Sequence, residues 1–304
     1  MRLTRRRLIQ AFGLAAAGTL LSGGYAVGVE PFRLRIQHWG VTPPGWPRGL
    51  RLRIAALADI HACRPWMTPD RIRAITEQAN ALEPDVTVLL GDYVASHRFV
   101  TGRVEPHEWA AALAGLRARL GVYAVLGNHD WWGDRAAQKA RKGPVASATA
   151  LRQAGIPVIE NDAVRVGDGG LRFWIAGLGD QLAFRVPRQG RIRLHGVDDL
   201  AGTLAKVTDA APVILLAHEP DIFPRVPARV GLTMSGHTHG GQLRLLGYSP
   251  MVPSRYGNRY AYGHVVEQGR HLVVSGGLGC TGAPVRIGVP PEITVVTLGA
   301  DAAA

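Results

Sequence analysis

The chain has 304 residues, 47% of them apolar and 19% charged, with two Cys, 38 Gly and 20 Pro. That is a globular composition, and it excludes a disordered chain, a disulfide scaffold and a Cys-rich zinc module. The formal charge of +12 includes Arg2, Arg5, Arg6 and Arg7 at the extreme N-terminus; the remaining excess is diffuse and almost all Arg, a mild attraction to anions that gives no support to nucleic-acid binding.

Residues 4–10 read Thr-Arg-Arg-Arg-Leu-Ile-Gln, and an uncharged stretch follows from Ala11 to Val29. A basic start before an apolar run is the organisation of an export signal. The paired arginines resemble the twin-arginine pattern, and the Gly- and Ala-rich run suits that route. A retained transmembrane anchor is the alternative, because the run is just long enough to span a bilayer. Either reading places the body in the periplasm or at the outer face of the inner membrane. The domain plan is therefore a signal or anchor over 1–30, a linker over 31–50, and one domain over 51–304, with no Ser/Gly/Pro stretch that would divide it.

The body opens with a β-type run from Leu52 to Ala58. Thr68-Pro69-Asp70 reads as a helix N-cap with Pro in the first turn, and the helix continues through Ile72, Ile75 and Ala79. A buried-type strand covers Val86 to Leu90, a helix Pro106 to Leu120, and a strand Val122 to Leu126. Ala146 to Ala154 is helical, with Gly155 after its end. Short strands are expected at 158–159, 163–166 and 171–176, then a helix near 198–207 and strands at 213–217 and 231–235. Val265–Val266, 272–275 and 293–298 complete the list. Two βαβ units followed by many strands predict mixed sheets flanked by helices.

The ends of these strands carry the chemistry. They read Asp59-Ile60-His61, Gly91-Asp92-Tyr93, Gly127-Asn128-His129-Asp130, His218, and Gly236-His237-Thr238-His239. Ligands bind at the carboxyl ends of strands in open α/β sheets. Carboxylate, imidazole and amide oxygen together suit Mn, Fe, Zn or a similar divalent ion rather than an all-oxygen Ca or Mg shell. Seven candidate ligands exceed the needs of one ion with an open position and suit two ions sharing a carboxylate. Each residue taken alone has a plain structural explanation as a cap, a turn or a core histidine; the ordered set does not.

The five blocks in this order resemble the calcineurin-like metallophosphoesterases over roughly residues 50 to 300. The stretches from Gly236 to Gln242, from Val252 to Gly257 and from Pro284 to Ile293 are similar to the exported YkuE/YaeI-like branch. The resemblance implies a four-layer α/β/β/α sandwich of two mixed β-sheets. It implies Asp59, His61 and His239 on one metal, Asn128, His218 and His237 on a second, and Asp92 bridging both. It makes His129 the proton donor to the leaving group, oriented by Asp130. The implied reaction is hydrolysis of a phosphate ester by a metal-activated hydroxide. The substrate stays open between a phosphodiester or pyrophosphate, lipid-linked or nucleotide-sugar in kind, and the esters of a broad phosphomonoesterase. A non-catalytic, metal-stabilised envelope binding module is the reading from a different class. Trp131 and Trp132 and the N-terminal run favour an amphiphilic substrate and contact with a membrane surface.

Overall fold

The computed structural model describes residues 22–167 and 172–299. Most of the expected signal or anchor, residues 1–21, lies outside the described residues. Among the described residues no helix is long and apolar enough to cross a membrane.

Five strands form the first sheet: β1 (Arg35–Val41), β2 (Leu52–Leu57), β3 (Val86–Leu89), β4 (Val122–Ala124) and, last in the chain, β11 (Glu292–Leu298). The second sheet holds β5 (Asp162–Val166), β6 (Phe173–Gly177), β7 (Val213–Leu216), β8 (Val230–Ser235), β9 (Gly263–Glu267) and β10 (Arg270–Val274). Their orders are β1-β11-β2-β3-β4 and β9-β10-β8-β7-β6-β5. The strands β2, β3 and β4 run parallel, as do β6, β7, β8 and β10. β11 lies antiparallel to β2, and β5 and β9 close the second sheet antiparallel.

Side-chain alternation builds the layers. Leu52, Ile54 and Ala56 on β2 join Val86 and Val88 on β3 and meet Ile175, Ile214, Leu216, Leu232, Met234 and Val273 of the second sheet. The intervening Ala55 and Leu57 face the other way, onto a core that also holds Ile72, Ile75, Trp109, Leu113 and Leu151 from helices. Across the second sheet, Trp174, Ala176, Leu215, Leu272 and Val274 pack with Leu200, Ile222 and Phe223. Period-two patterning on strands buried on both faces thus yields the α/β/β/α sandwich.

The helix Pro69–Ala81 begins as expected: Thr68 accepts a hydrogen bond from the Arg71 N–H at 3.3 Å. The second helix is shorter than its sequence pattern predicts, Pro106–Leu113 instead of reaching Leu120. Asn80 intercepts the chain there, donating to the Gly115 carbonyl at 2.8 Å and accepting from the Arg117 N–H at 2.8 Å. Residues 31–50 are more than a linker. Arg35–Val41 pairs parallel with β11 over its whole length and forms the edge of the first sheet. Its alternation of half-buried and exposed residues, with Arg35, Gln37 and His38 among them, hid it from a search for apolar runs. A hairpin of Phe184–Arg188 and Arg191–His195 was likewise not expected.

Candidate metal centre

Five parallel strands end on one edge of the sandwich, and the candidate ligands sit just past those ends. The chain leaves the sheet earlier than the sequence pattern predicts, at Leu57, Leu89 and Ala124. The residues that follow turn sharply. Asp59, His61, Asp92, His237 and His239 all have left-handed backbone, with φ of 53°, 48°, 61°, 68° and 52°. Residues with a Cβ seldom adopt that region, and such strain gathers at functional sites. The turn settles the geometry of the His237-Thr238-His239 segment. In a regular strand its two imidazoles would point to opposite faces; with positive φ at both, they reach the same pocket.

Two clusters result, one of Asp59, His61 and His239 and the other of Asp92, His218 and His237, all buried. Asp92 joins them: its Oδ2 lies 3.6 Å from His61 Nε2 and 3.3 Å from His218 Nε2. In the first cluster His61 Nε2 and His239 Nε2 are 3.1 Å apart, and His239 Nε2 is 3.6 Å from Asp59 Oδ1. Two nitrogens on one cation, with bonds of about 2.1 Å, would stand about 3.0–3.4 Å apart.

Hydrogen bonds to main-chain carbonyls fix the rings. His61 Nδ1 donates to Val94 O at 2.8 Å, His218 Nδ1 to Leu90 O at 2.7 Å, and His237 Nε2 to Pro253 O at 2.9 Å. A carbonyl only accepts, so these nitrogens carry hydrogen. Nε2 of His61 and His218 and Nδ1 of His237 are left to face the carboxylates, the arrangement that orients metal-binding histidines. Asn128 is fully buried, and neither its amide oxygen nor its nitrogen has a hydrogen-bond partner. Leaving such a group bare costs about 1–3 kcal/mol, which a bond to a cation would offset.

The electrostatics agree. Burial, against the pull of His218 and with the charge of Asp92 added, pushes Asp59 up to about 7. Burial also opposes charge on Asp92 and His218. Yet His218 and His129 hold Asp92 well below its ordinary value, and Asp92 holds His218 well above its own. Burial presses His61 down to about 3 and His239 well below the usual histidine range. Among the described residues Asp59 and Asp92 form no Lys or Arg ion pair, so the donor set fits divalent cations by charge as well as by atom type.

Glycine permits the close approach. A Cβ on Gly127 would lie 2.3 Å from Asp92 Oδ1 and 2.7 Å from His218 Cε1.

His129 is mostly buried beside the clusters, its ring edge-on to His61 at 5.2 Å and to Trp132 at 4.9 Å. Burial lowers its pKa, with Asp92 acting in the opposite direction. Asp130 sits elsewhere than expected. Its Oδ2 accepts from the N–H groups of Asp92 and Gly127, both at 2.9 Å, and its Oδ1 accepts from Tyr93 N at 3.1 Å and Ser147 Oγ at 3.0 Å. Among the described residues no hydrogen bond joins Asp130 to the His129 ring. With all four acceptor directions taken, Asp130 ties the loop of Asp92 to the loop of Asn128 instead of orienting the imidazole.

The two tryptophans part company. Trp131 is buried in the core, whereas Trp132 is half-buried against His129, under the guanidinium of Arg185 at 5.0 Å. Arg255 is exposed and pairs with Asp221 at 3.2 Å. Arg286 is fully buried; it donates to the carbonyls of Gly276, Gly279 and Val289 and lies 3.4 Å from His239 Nδ1. Cys63 and Cys280 are both buried and free.

One further group was missed from sequence: Asp180 and Glu219 gather with His218. Asp180 Oδ2 and Glu219 Oε1 are buried without partners, and burial together with the charge of Glu219 drives Asp180 well above the carboxylate range. Asp180 follows Gly177-Leu178-Gly179 at the end of β6, the same Gly-flanked strand end that marked the others.

Comparison with known proteins agrees with this geometry. Residues 52–241 match the family model described as calcineurin-like phosphoesterase. An uncharacterized metallophosphoesterase YkuE from Bacillus subtilis is 30% identical, covering 98% of this chain and 98% of the relative. One from Aquifex aeolicus is 30% identical over 92% of this chain and 97% of its own length. A transmembrane protein with metallophosphoesterase domain from Bos taurus is 32% identical over 82% of this chain and 53% of its own length. The ordered strand-end blocks, the clusters they form and the match along the chain lead to one conclusion: this chain belongs to the calcineurin-like metallophosphoesterases, in the branch that resembles YkuE, and is a metal-dependent hydrolase of phosphoric esters.

Proposed function

We propose that this chain holds two divalent metal ions and hydrolyses a phosphodiester or pyrophosphate bond. The observation that carries the reading is Asp92, whose Oδ2 stands between the two clusters, 3.6 Å from one imidazole and 3.3 Å from the other. Asp59, His61, His239 and Asp92 would hold one ion, and Asp92, Asn128, His218 and His237 the other. Mn, Fe and Zn all accept such a set. When bound, the ions supply Lewis-acid charge for the phosphoryl oxygens and make water nucleophilic near neutral pH.

The chain's own groups do the rest. Val94, Leu90 and Pro253 carbonyls aim three imidazoles, so the site is set before substrate arrives. His129 lies over the clusters with Trp132 at its edge. It gives its proton to the departing oxygen, and the buried setting keeps bulk water from supplying that proton instead. Asp130 keeps Asp92 and Asn128 in register through the backbone. The twin-arginine-type start of the chain supports export to the periplasm or to the outer face of the inner membrane, with the body near lipid.

The test uses two leaving groups. For His129→Ala, turnover of alkyl phosphoesters should fall about 10²–10⁴-fold, and that of nitrophenyl esters much less, because nitrophenolate leaves without a proton. Equal losses on both would remove the acid role. Comparing nitrophenyl phosphate with bis-nitrophenyl phosphate decides between diesterase and broad monoesterase, and no turnover of either with any divalent metal would favour the non-catalytic module.

A further inference from the structure

With Asp130 tied to the loops of Asp92 and Asn128, something else must set the His129 ring. Among the described residues no group hydrogen-bonds either of its nitrogens. Two ring contacts remain, His61 edge-on at 5.2 Å and Trp132 edge-on at 4.9 Å. His61 is itself a candidate ligand, so Trp132 is the wall that serves this imidazole alone. Helical spacing selects it. Asn128–Gly133 is a short helix, and side chains three residues apart share a face of a helix. Trp132 stands three residues after His129 and meets it. Trp131 stands two after, points away, and packs in the core against Phe184 at 5.2 Å.

Trp132 is in turn held by the segment that follows β6. Its indole N–H donates to Leu182 O at 2.8 Å, and the Arg185 guanidinium lies over its ring at 5.0 Å. Leu182 is fixed through its own N–H, which donates to Asp180 Oδ1 at 2.8 Å. Gln138 pins the next residues: its side-chain amide donates to Ala183 O at 2.6 Å and to Trp131 O at 3.1 Å, and its Oε1 accepts from Arg185 N at 3.1 Å. Gln181 ties the same segment to Glu219, the neighbour of His218, donating from its main chain to Glu219 Oε2 at 3.0 Å and from its side chain to Glu219 O at 2.8 Å. The hairpin that grows from this root pairs with neither large sheet. Among the described residues the Arg185 guanidinium has no ion pair and no hydrogen bond, so the Trp132 face is what it rests on. Every one of these contacts leads to the indole or to the loop behind it, and none of them to an atom that faces the clusters.

We propose that Trp132, braced by the Leu182 carbonyl and by Arg185, is the positioning residue for His129. An indole edge fixes the place and plane of an imidazole without bonding to its nitrogens, which leaves the ring N–H free to meet the departing oxygen. The unexpected hairpin then has a purpose at its root: it holds the holder of the proton donor. The inference rests on the proposed reading of His129 as the acid and adds what aims it.

The test measures kcat and KM for the full chain loaded with Mn²⁺, with methyl nitrophenyl phosphate and methyl phenyl phosphate as substrates. Phenolate is the poorer leaving group and depends more on the donated proton. A misplaced acid should cost Trp132→Ala about 10–100-fold in kcat on the phenyl ester, several times less on the nitrophenyl ester, with KM little changed on both. Trp132→Phe keeps a ring edge but loses the N–H to Leu182, and Arg185→Met removes the cation; each should lose about 2–10-fold on the phenyl ester in the same sense. Elemental analysis should find wild-type metal content in all three, since none of the three side chains is a candidate ligand. Trp132→Phe and the exposed Arg185→Met keep the test open if Trp132→Ala does not fold. Equal losses on the two esters, no loss on either, or a rise in KM with kcat held would overturn the positioning role; the last would make Trp132 a wall for the substrate instead. His129→Ala is the separate control. If it loses equally on both esters, the acid itself falls; if it shows the split and the Trp132 variants do not, only the brace is removed.

Discussion

Replacing Asp130 with Asn separates two roles that the sequence pattern cannot distinguish. The side chain keeps its shape but exchanges one acceptor oxygen for an NH₂ group. In the structure each oxygen accepts two hydrogen bonds, Oδ2 from Asp92 N and Gly127 N and Oδ1 from Tyr93 N and Ser147 Oγ. Asn can keep one pair and must turn two hydrogens toward the other. If it keeps the Asp92 and Gly127 pair, Ser147 can rotate to accept, but Tyr93 N–H is left facing a donor. Hydrogen bonds to a charged group contribute about 1.5–3 kcal/mol each, and a bare buried donor costs about 1–3 kcal/mol. Together they amount to about 2.5–6 kcal/mol. At roughly 2–4 °C per kcal/mol for a chain of this size class, Tm should fall by on the order of 10 °C, against about 2–4 °C for Ser147→Ala. Metal affinity should weaken by about 10–100-fold, as when support for ligands is lost. Turnover at saturating metal should fall equally for nitrophenyl and alkyl esters, because the His129 proton is not involved. The assay pairs thermal melting with the two substrate types. An unchanged Tm together with a loss confined to alkyl esters would refute this reasoning and return Asp130 to the role of orienting His129.

Gly127→Ala should displace Asp92, because the added Cβ would sit 2.3 Å from its Oδ1; metal titration should show affinity down at least tenfold, and wild-type affinity would mean the loop can shift freely. The pH dependence has a definite sign. Burial holds His61 at about 3 and lowers His237 and His239, so between about pH 3 and 6.5 the unfolded chain binds protons that the folded chain does not. Taken by themselves, these imidazoles make stability fall as pH drops below about 6.5, by at most about 1.4 kcal/mol per pH unit each. In the metal-free chain Asp130, held at about 7, and Asp180, held well above the carboxylate range, act oppositely by keeping a proton in the fold above the unfolded carboxylate range, and Asp59, also at about 7, adds an offset of the same sign at the metal clusters. Divalent metal should cancel that offset and steepen the acid loss; melting curves from pH 5 to 7.5 with and without Mn²⁺ check this, and a shallower slope with metal would contradict it.

The candidate clusters were legible because their residues follow successive strand ends as an ordered set, although each residue alone reads as a cap, a turn or a core histidine. Asp59, Asp92, Asn128, His218, His237 and His239 could be placed on that basis without knowing how the sheets pack. Asp180 has the same Gly-flanked position after β6, yet it stands alone in the sequence, and only the fold brings Glu219 to it. The role of Asp130 was not legible, since it depends on where the N–H groups of Asp92, Tyr93 and Gly127 point. Backbone direction in a turn leaves no trace in residue type. The same limit explains Arg35–Val41, whose half-exposed edge pairs through main chain alone, and the early stop of the second helix, set by the distant Asn80.

Metal counting on the full chain, beside Asp92→Asn, tests the central claim most directly. Elemental analysis after loading with Mn²⁺ or Zn²⁺ should give two equivalents per wild-type chain. The Asn variant keeps the acceptor for His129 N–H but loses the charge shared by His61 and His218, and it should retain well under one equivalent and no measurable esterase activity. A wild-type chain that binds one ion or none, or an Asp92→Asn chain that keeps both ions and its turnover, would contradict a metal pair joined through Asp92.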